Sequence, residues 1–281
     1  MNGVSVVIAT LGGRQLIETI DALNSGSVAP EEILVCVPES QEVDLGYLSA
    51  TNVRVVRTSE RGQVVQRAMG FNQVKCNLVL QLDDDIIMEK DALLKLIVCI
   101  QQSSSYAIGP KLIDLKTGIY QSYLIPKSNR HTLYERLQYY IINGSKGFQP
   151  GGIAKAGVCM GVPDDMKDWS GLDWLPGGCM LHHKENLVLY NFYPFTGKAY
   201  AEDLFHSICL RKKNIVLVRC GKAKCYLNNV FAPRIGAVRF FEEQKRSVRA
   251  LKKVVKQING SYARLYIFIL IQSARLILSK V

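Results

Sequence analysis

Three consecutive carboxylates, Asp83, Asp84 and Asp85, follow the apolar stretch at residues 77–82. Side by side such charges repel one another, so the run is costly unless a cation or hydrogen-bond donors compensate it. A hard divalent ion such as Mg²⁺ or Mn²⁺ prefers oxygen ligands and usually shares them with substrate phosphates. The same triplet also reads as a solvated acidic turn before a helix at residues 90–102, with one Asp as its cap. A second acidic pair, Glu202 and Asp203, stands about 120 residues further on, at the start of another helix. A carboxylate there can act as general base on a substrate hydroxyl, or can simply complement the helix dipole. Arg61 and Arg67 place cationic groups at the start and on the second turn of a helix, which suits a diphosphate or merely a solvated surface. Thr10 and Arg14 flank Gly12 and Gly13 in the turn after the first strand. Gly177 and Gly178 permit a close approach of backbone to a sugar or acceptor, or satisfy a turn. His182 and His183 are adjacent, so along a strand they face opposite ways, which argues against joint metal binding; His206 reads as a surface or core histidine.

These residues need a scaffold, and the chain supplies a recognisable one. Residues 4–9, 33–37, 53–57 and 77–82 read as strands, with helices at 15–23 and 63–74 between them. Such alternation predicts an α/β fold with a mainly parallel sheet flanked by helices, whose strand carboxyl ends form the ligand edge. Further strands are expected at 106–109, 118–124, 215–218 and 223–227, and a helix from about 203. Residues 143–171 are rich in Gly, Pro, Asn and Asp and read as a long loop, a candidate lid. Residues 239–258 form a basic helix, and 265–278 an apolar stretch too short and too interrupted to span a membrane.

A chain of 281 residues with 48% hydrophobic and 21% charged content can bury a real core. Its formal charge of +11 favours an anionic partner. The eight cysteines show no C-x-x-C pair and several lie in apolar runs, so they read as reduced core residues instead of a zinc site or disulfide frame. The N-terminus opens directly into a strand without a signal-peptide pattern, which predicts a cytoplasmic location.

Taken together, the β/α opening, the Arg61-to-Gly70 helix, the Leu82-Asp83-Asp84-Asp85 run, the Trp174-Leu175-Pro176-Gly177-Gly178 turn and the Glu202-Asp203 pair resemble, in order and spacing, the family 2 glycosyltransferases of the GT-A fold. The resemblance covers roughly residues 4–227. It implies a GT-A mixed, mainly parallel sheet and inverting transfer from a nucleotide-diphosphate sugar with a divalent cation. By the same resemblance, Asp83 and Asp85 match the ends of the D-x-D signature that holds the donor ribose and the metal, with Asp84 the variable middle position. Thr10 matches the threonine near the nucleotide, Arg67 the arginine of the helix before the D-x-D strand, and Asp203 the acid that acts as base on the acceptor hydroxyl, with Glu202 beside it. Gly177 and Gly178 fall in the acceptor-side turn. Two positions depart from the pattern. Only Glu39, in Val37-Pro38-Glu39-Ser40, stands where an acid commonly holds the nucleotide base, and Cys225-Tyr226-Leu227-Asn228-Asn229 carries no metal-binding histidine.

The expected organisation is a catalytic domain at 1–235 followed by a basic and amphipathic helical region at 236–281. Arg239, Lys245, Arg246, Arg249, Lys252, Lys253 and Lys256 precede the apolar stretch, a pairing suited to anionic lipid headgroups, so a peripheral membrane contact and a lipid-linked glycan acceptor in cell-surface polysaccharide synthesis are expected. Two other readings stay open: a nucleotidyltransferase, for which no Gly-rich phosphate loop followed by Lys is present, and a non-catalytic basic module for membrane or nucleic acid, to which Asp83–Asp85 would bring nothing.

Overall fold

A computed structural model describes residues 3–41, 51–121, 124–125, 132–196, 198–228 and 237–278. The chain divides into two compact units, Met1–Gln121 with Asp164–Phe231, and Ser122–Pro163 with Ala232–Val281.

Among the described residues, the first unit is built on a nine-stranded sheet. In chain order its elements are β1 (Val4–Ala9), α1 (Gln15–Asn24), β2 (Glu32–Pro38), β3 (Val53–Thr58), α2 (Gln63–Phe71), β4 (Leu78–Leu82), β5 (Ile86–Met88), α3 (Ala92–Ile100) and β6 (Tyr106–Asp114). After the segment that belongs to the second unit come β7 (Trp169–Leu172), β8 (Cys179–His183), α5 (Glu202–Lys212) and β9 (Val216–Leu227); α4 is the helix Leu133–Asn143 described below. Strand order is β3-β2-β1-β4-β8-β6-β9-β5, with β7 beside β9. The strands β3, β2, β1 and β4 run parallel, so their carboxyl ends share one edge. β8 is antiparallel to β4, with Cys179 opposite Leu82, which returns the start of β8 to that same edge.

Every residue of β1, β2 and β4 is buried, as continuous apolar runs covered on both faces require. Ile8, Leu34, Leu80 and Leu82 are fully inside, each stabilising the fold by about 1.5–3 kcal/mol relative to exposure. The two strands expected at 215–218 and 223–227 are one strand, β9, interrupted by a register shift opposite Pro110 and Lys111. The helix expected at 63–74 ends at Phe71. Of the strand expected at 118–124, Tyr120 forms an isolated bridge to Ile113, and residues 122 and 123 lie outside the described residues.

The second unit contains α4, α6 (Ala237–Gln257) and α7 (Tyr262–Leu278). Helix α4 starts at a complete capping box, Thr132 with Glu135. The chain at 143–171 is not the bare loop expected: its end runs into β7, and the part at 143–163 lies in this second unit. It carries a 3-10 turn at Gly144–Lys146 and a bridge between Ile153 and Cys159, and it buries Ala154, Ala156, Val158 and Met160 with Tyr139 and Ile142 of α4. Small apolar residues at alternate positions let a glycine-rich backbone pack inward without a regular element. Arg264 of α7 donates hydrogen bonds to the carbonyls of Tyr140 and Ile141, satisfying the C-terminal end of α4. Among the described residues, no helix is long and apolar enough to cross a membrane.

Candidate active site

The parallel strand ends set the positions of the acidic groups. Asp83, Asp84 and Asp85 leave the carboxyl end of β4, and the Asp83 amide donates to the carbonyl of Gly178 at 2.7 Å, locking the triplet to the start of β8. A side chain at Gly178 would bring its Cβ to 3.0 Å from Asp83 Oδ2. At Gly177 the clash is worse, 2.4 Å from Glu202 Oε1. Glycine is therefore what allows the turn to slot between the two acidic clusters. The Gly177 carbonyl also accepts a hydrogen bond from Gln81, a polar side chain inside the otherwise apolar β4.

Arg67 ties the clusters together. Its guanidinium is 3% exposed, one terminal nitrogen pairing with Asp83 and the other with Glu202 at 2.9 Å. Burial disfavours its charge, but Glu202 and Asp83 more than offset that and hold it firmly protonated. Asp83 Oδ1 accepts a further bond from Gln63 at 2.9 Å. Gln66, one position before Arg67, donates to the Thr10 carbonyl at 2.9 Å and to the Cys36 carbonyl at 2.8 Å, closing the ends of β1 and β2 over α2.

Each acid of the triplet has a different environment. Asp84 is raised by burial, partly offset by the Thr10 hydroxyl that donates to it. Asp85 is pushed up to about 6 by burial and then by the charges of Asp83 and Asp84. Among the described residues no Lys or Arg forms an ion pair with Asp85; its carbonyl accepts from the Asn228 amide at 2.8 Å. Asn228, at the position where the resemblance leads one to look for a histidine, turns its carboxamide to Glu18 instead.

Glu202 and Asp203 open α5 behind Ala201, which is in the left-handed conformation at φ 54° and ψ 28°. For a residue with a Cβ that costs about 1–2 kcal/mol, the kind of strain that collects at functional sites. Asp203 is half-buried, and its carboxyl is pushed up to about 7 by burial and by the adjacent Glu202. Glu202 is also raised by burial, against the pull of Arg67. Beneath the cluster lie His206 of α5 and His182 of β8, rings 5.5 Å apart, and among the described residues no ring nitrogen of either has a hydrogen-bond partner. Burial keeps both neutral, His182 down at about 3 and His206 well below its usual range. His206 is thus a core histidine, and His183 faces the other way, toward the Ser103 carbonyl at 3.2 Å.

The remaining expected residues lie on the same edge without joining the buried cluster. Arg14 is exposed at the start of α1, Glu39 is exposed just past β2, and Arg61 is exposed immediately before α2. Gln63, Gln66, Gln81 and Ala201 were not anticipated. The signal for the first two was a polar stripe, Gln63, Gln66, Arg67 and Gly70, at helical spacing on a helix that must pack against a sheet. For Gln81 it was one amide within an apolar strand. Ala201 gave no signal, since its conformation follows from tertiary packing.

No family model matches the chain, and no curated protein matches it in sequence. Solved structures do match in fold. GalNAc-T7, determined with UDP, GalNAc and Mn²⁺, superimposes with a TM-score of 0.58 at 15% identity, over 89% of this chain and 48% of that one. "S. aureus TarS 1-349" superimposes with a TM-score of 0.53 at 15% identity, over 95% and 70%. This chain thus spans about half the length of the GalNAc-T7 structure. Both neighbours are glycosyltransferases, and the likeness in fold shows that this chain has the GT-A fold.

Proposed function

We propose that the chain transfers a sugar from a nucleotide-diphosphate donor to a hydroxyl of a glycan acceptor, with inversion. The observation that carries this is the meeting of two acidic clusters, 120 residues apart in sequence, at the carboxyl edge of the sheet, where Arg67 joins Asp83 to Glu202. Asp203 is the general base: a carboxyl poised at about 7 accepts a proton from an acceptor hydroxyl more readily than an ordinary aspartate. Arg67 acts chiefly as a positioning residue, since both terminal nitrogens are spent on Asp83 and Glu202. Arg14 and Arg61, exposed at the same edge, supply the positive charge that draws the diphosphate in, and Thr10 and Glu39 line the nucleoside side.

The donor set suits a hard cation. It is all carboxylate oxygen, and Asp85 is a half-buried acid that no protein cation neutralises among the described residues. Asp85, with the Oδ2 side of Asp83, is proposed to hold Mg²⁺ or Mn²⁺, in keeping with the Mn²⁺ and UDP named for GalNAc-T7. Such an ion, when bound, neutralises charge on a departing diphosphate.

The acceptor is proposed to be lipid-linked, with the protein held at the cytoplasmic membrane face in polysaccharide synthesis. Support comes from the second unit, where α4 exposes Leu133, Tyr134, Leu137 and Tyr140, and α7 exposes Tyr266, Ile267 and Leu270. Lys252, Lys253 and Lys256 of α6 are exposed as well. Apolar and tyrosyl groups beside lysines fit an anionic lipid interface.

The test is Asp203→Asn. Donor binding, followed by calorimetry, is expected to persist while transfer falls about 10²–10⁴-fold; near-normal turnover would remove Asp203 as the base.

A further inference from the structure

The cysteines form more than core packing at one place. Cys99 on α3, Cys220 on β9 and Asp168, immediately before β7, bring one ligand atom each to within 4.8 Å of one another. Both thiols are buried, whereas Asp168 is exposed and opens the group to solvent. From this geometry we infer a second metal site, independent of the aspartate triplet, that takes Zn²⁺ or a similar thiophilic divalent ion.

The backbone around Cys220 is arranged as a support for those ligands. Strand β9 shifts register directly after it, Pro110 pairing with Cys220 and Lys111 with Lys224, so residues 221–223 bulge out of the ladder. One amide freed by the bulge is used on the cluster: that of Gly221 donates to Asp168 Oδ1 at 2.8 Å. Any side chain at 221 would start 2.4 Å from the Lys167 carbonyl, so glycine is required for the 166–168 segment to deliver Asp168. An amide donor aimed at the carboxylate fixes its orientation toward the two sulfurs. The Cys220 thiol donates to the Lys95 carbonyl of α3 at 3.9 Å.

Two thiolates and one carboxylate make a donor set for zinc, with a fourth position open to water, and a poor one for Mg²⁺ or Mn²⁺. Binding would release the two thiol protons and pin α3 to β9, whose far end holds Asn228 against Asp85. The role that follows is structural: metal bound to the folded chain raises its melting temperature.

Titration of the reduced, chelator-treated protein with Co²⁺ tests the site. One equivalent is expected to produce a thiolate-to-cobalt charge-transfer absorption that Zn²⁺ abolishes and excess Mg²⁺ does not. Cys99→Ser and Cys220→Ser should lose the band, Asp168→Asn should weaken binding by at least about tenfold, and Cys159→Ser should leave it unchanged. Because a buried Cys→Ser change can impair folding, the intact chain provides a second readout: Zn²⁺ should slow iodoacetamide labelling of Cys99 and Cys220, resolved by peptide mass mapping. Absence of both the band and the protection in folded protein would overturn the site. So would a band retained in both cysteine variants, or oxidation of the pair to a disulfide without metal uptake.

Discussion

At the scale of single residues, the site is a set of carboxylates held at unequal proton affinity by unequal surroundings. Asp203, half-buried beside Glu202 and raised to about 7, is protonated below that pH and competent as a base above it. The rate of transfer at limiting substrate should therefore climb with pH through about 7; a profile flat from pH 5 to 8 would exclude Asp203 as the titrating base. The stability consequence has the opposite sense. An acid whose folded pKa exceeds its unfolded one binds more protons in the folded state, so its contribution to stability is lost as pH rises from about 4 to 7. Arg67 acts on stability more strongly. Removing it as Arg67→Ala leaves Asp83 and Glu202 without their shared cation, and urea unfolding should show a loss of about 3–5 kcal/mol. A loss under 1 kcal/mol would mean that the guanidinium is not the link between the clusters. The acids were legible in sequence because charge is expensive at a strand end. Arg67's double pairing was not, since it depends on Gly177 and Gly178 admitting Glu202 to the edge, a fact of packing at long sequence separation.

At the scale of elements, strands that are apolar throughout announced themselves, and the parallel β1, β2, β3 and β4 follow from their alternation with helices. Helix α4 was missed although Thr132-Leu133-Tyr134-Glu135 spells a capping box, because its outward face carries Leu133, Tyr134, Leu137 and Tyr140 where a surface helix ordinarily shows charge. That inversion is what makes the helix informative. If the exposed apolar residues of α4 and α7 seat in a bilayer surface, the protein should sediment with vesicles rich in anionic lipid, less so at high salt. A Leu133→Ser, Leu137→Ser, Leu270→Ser variant should lose at least about tenfold in partitioning, given about 0.8 kcal/mol per buried CH₂. Equal partitioning of the variant would assign binding to charge alone, and no sedimentation of the wild type would remove the membrane reading. The irregular stretch at 143–163 was misread because alternate small residues and glycines carry no period, yet Ala154, Ala156 and Met160 are buried as fully as any strand residue.

At the scale of the whole molecule, the order of elements places the donor-side groups in the first half of the chain and the proposed base in the second, and the antiparallel return of β8 brings them to one edge. That edge is where open α/β sheets bind ligands, and the fold that forms it is shared with GalNAc-T7 and TarS at 15% identity. The central claim is that this edge binds a nucleotide sugar through a cation on Asp85. Thermal unfolding with a panel of nucleotide sugars, with and without Mn²⁺, measures it directly. At least one donor should raise the melting temperature in a metal-dependent way, the equivalent of about 2.7 kcal/mol when present at 100 times its Kd, and Asp85→Ala should abolish the metal-dependent part. No stabilisation by any nucleotide sugar, or a metal-dependent shift undiminished in Asp85→Ala, would contradict the account.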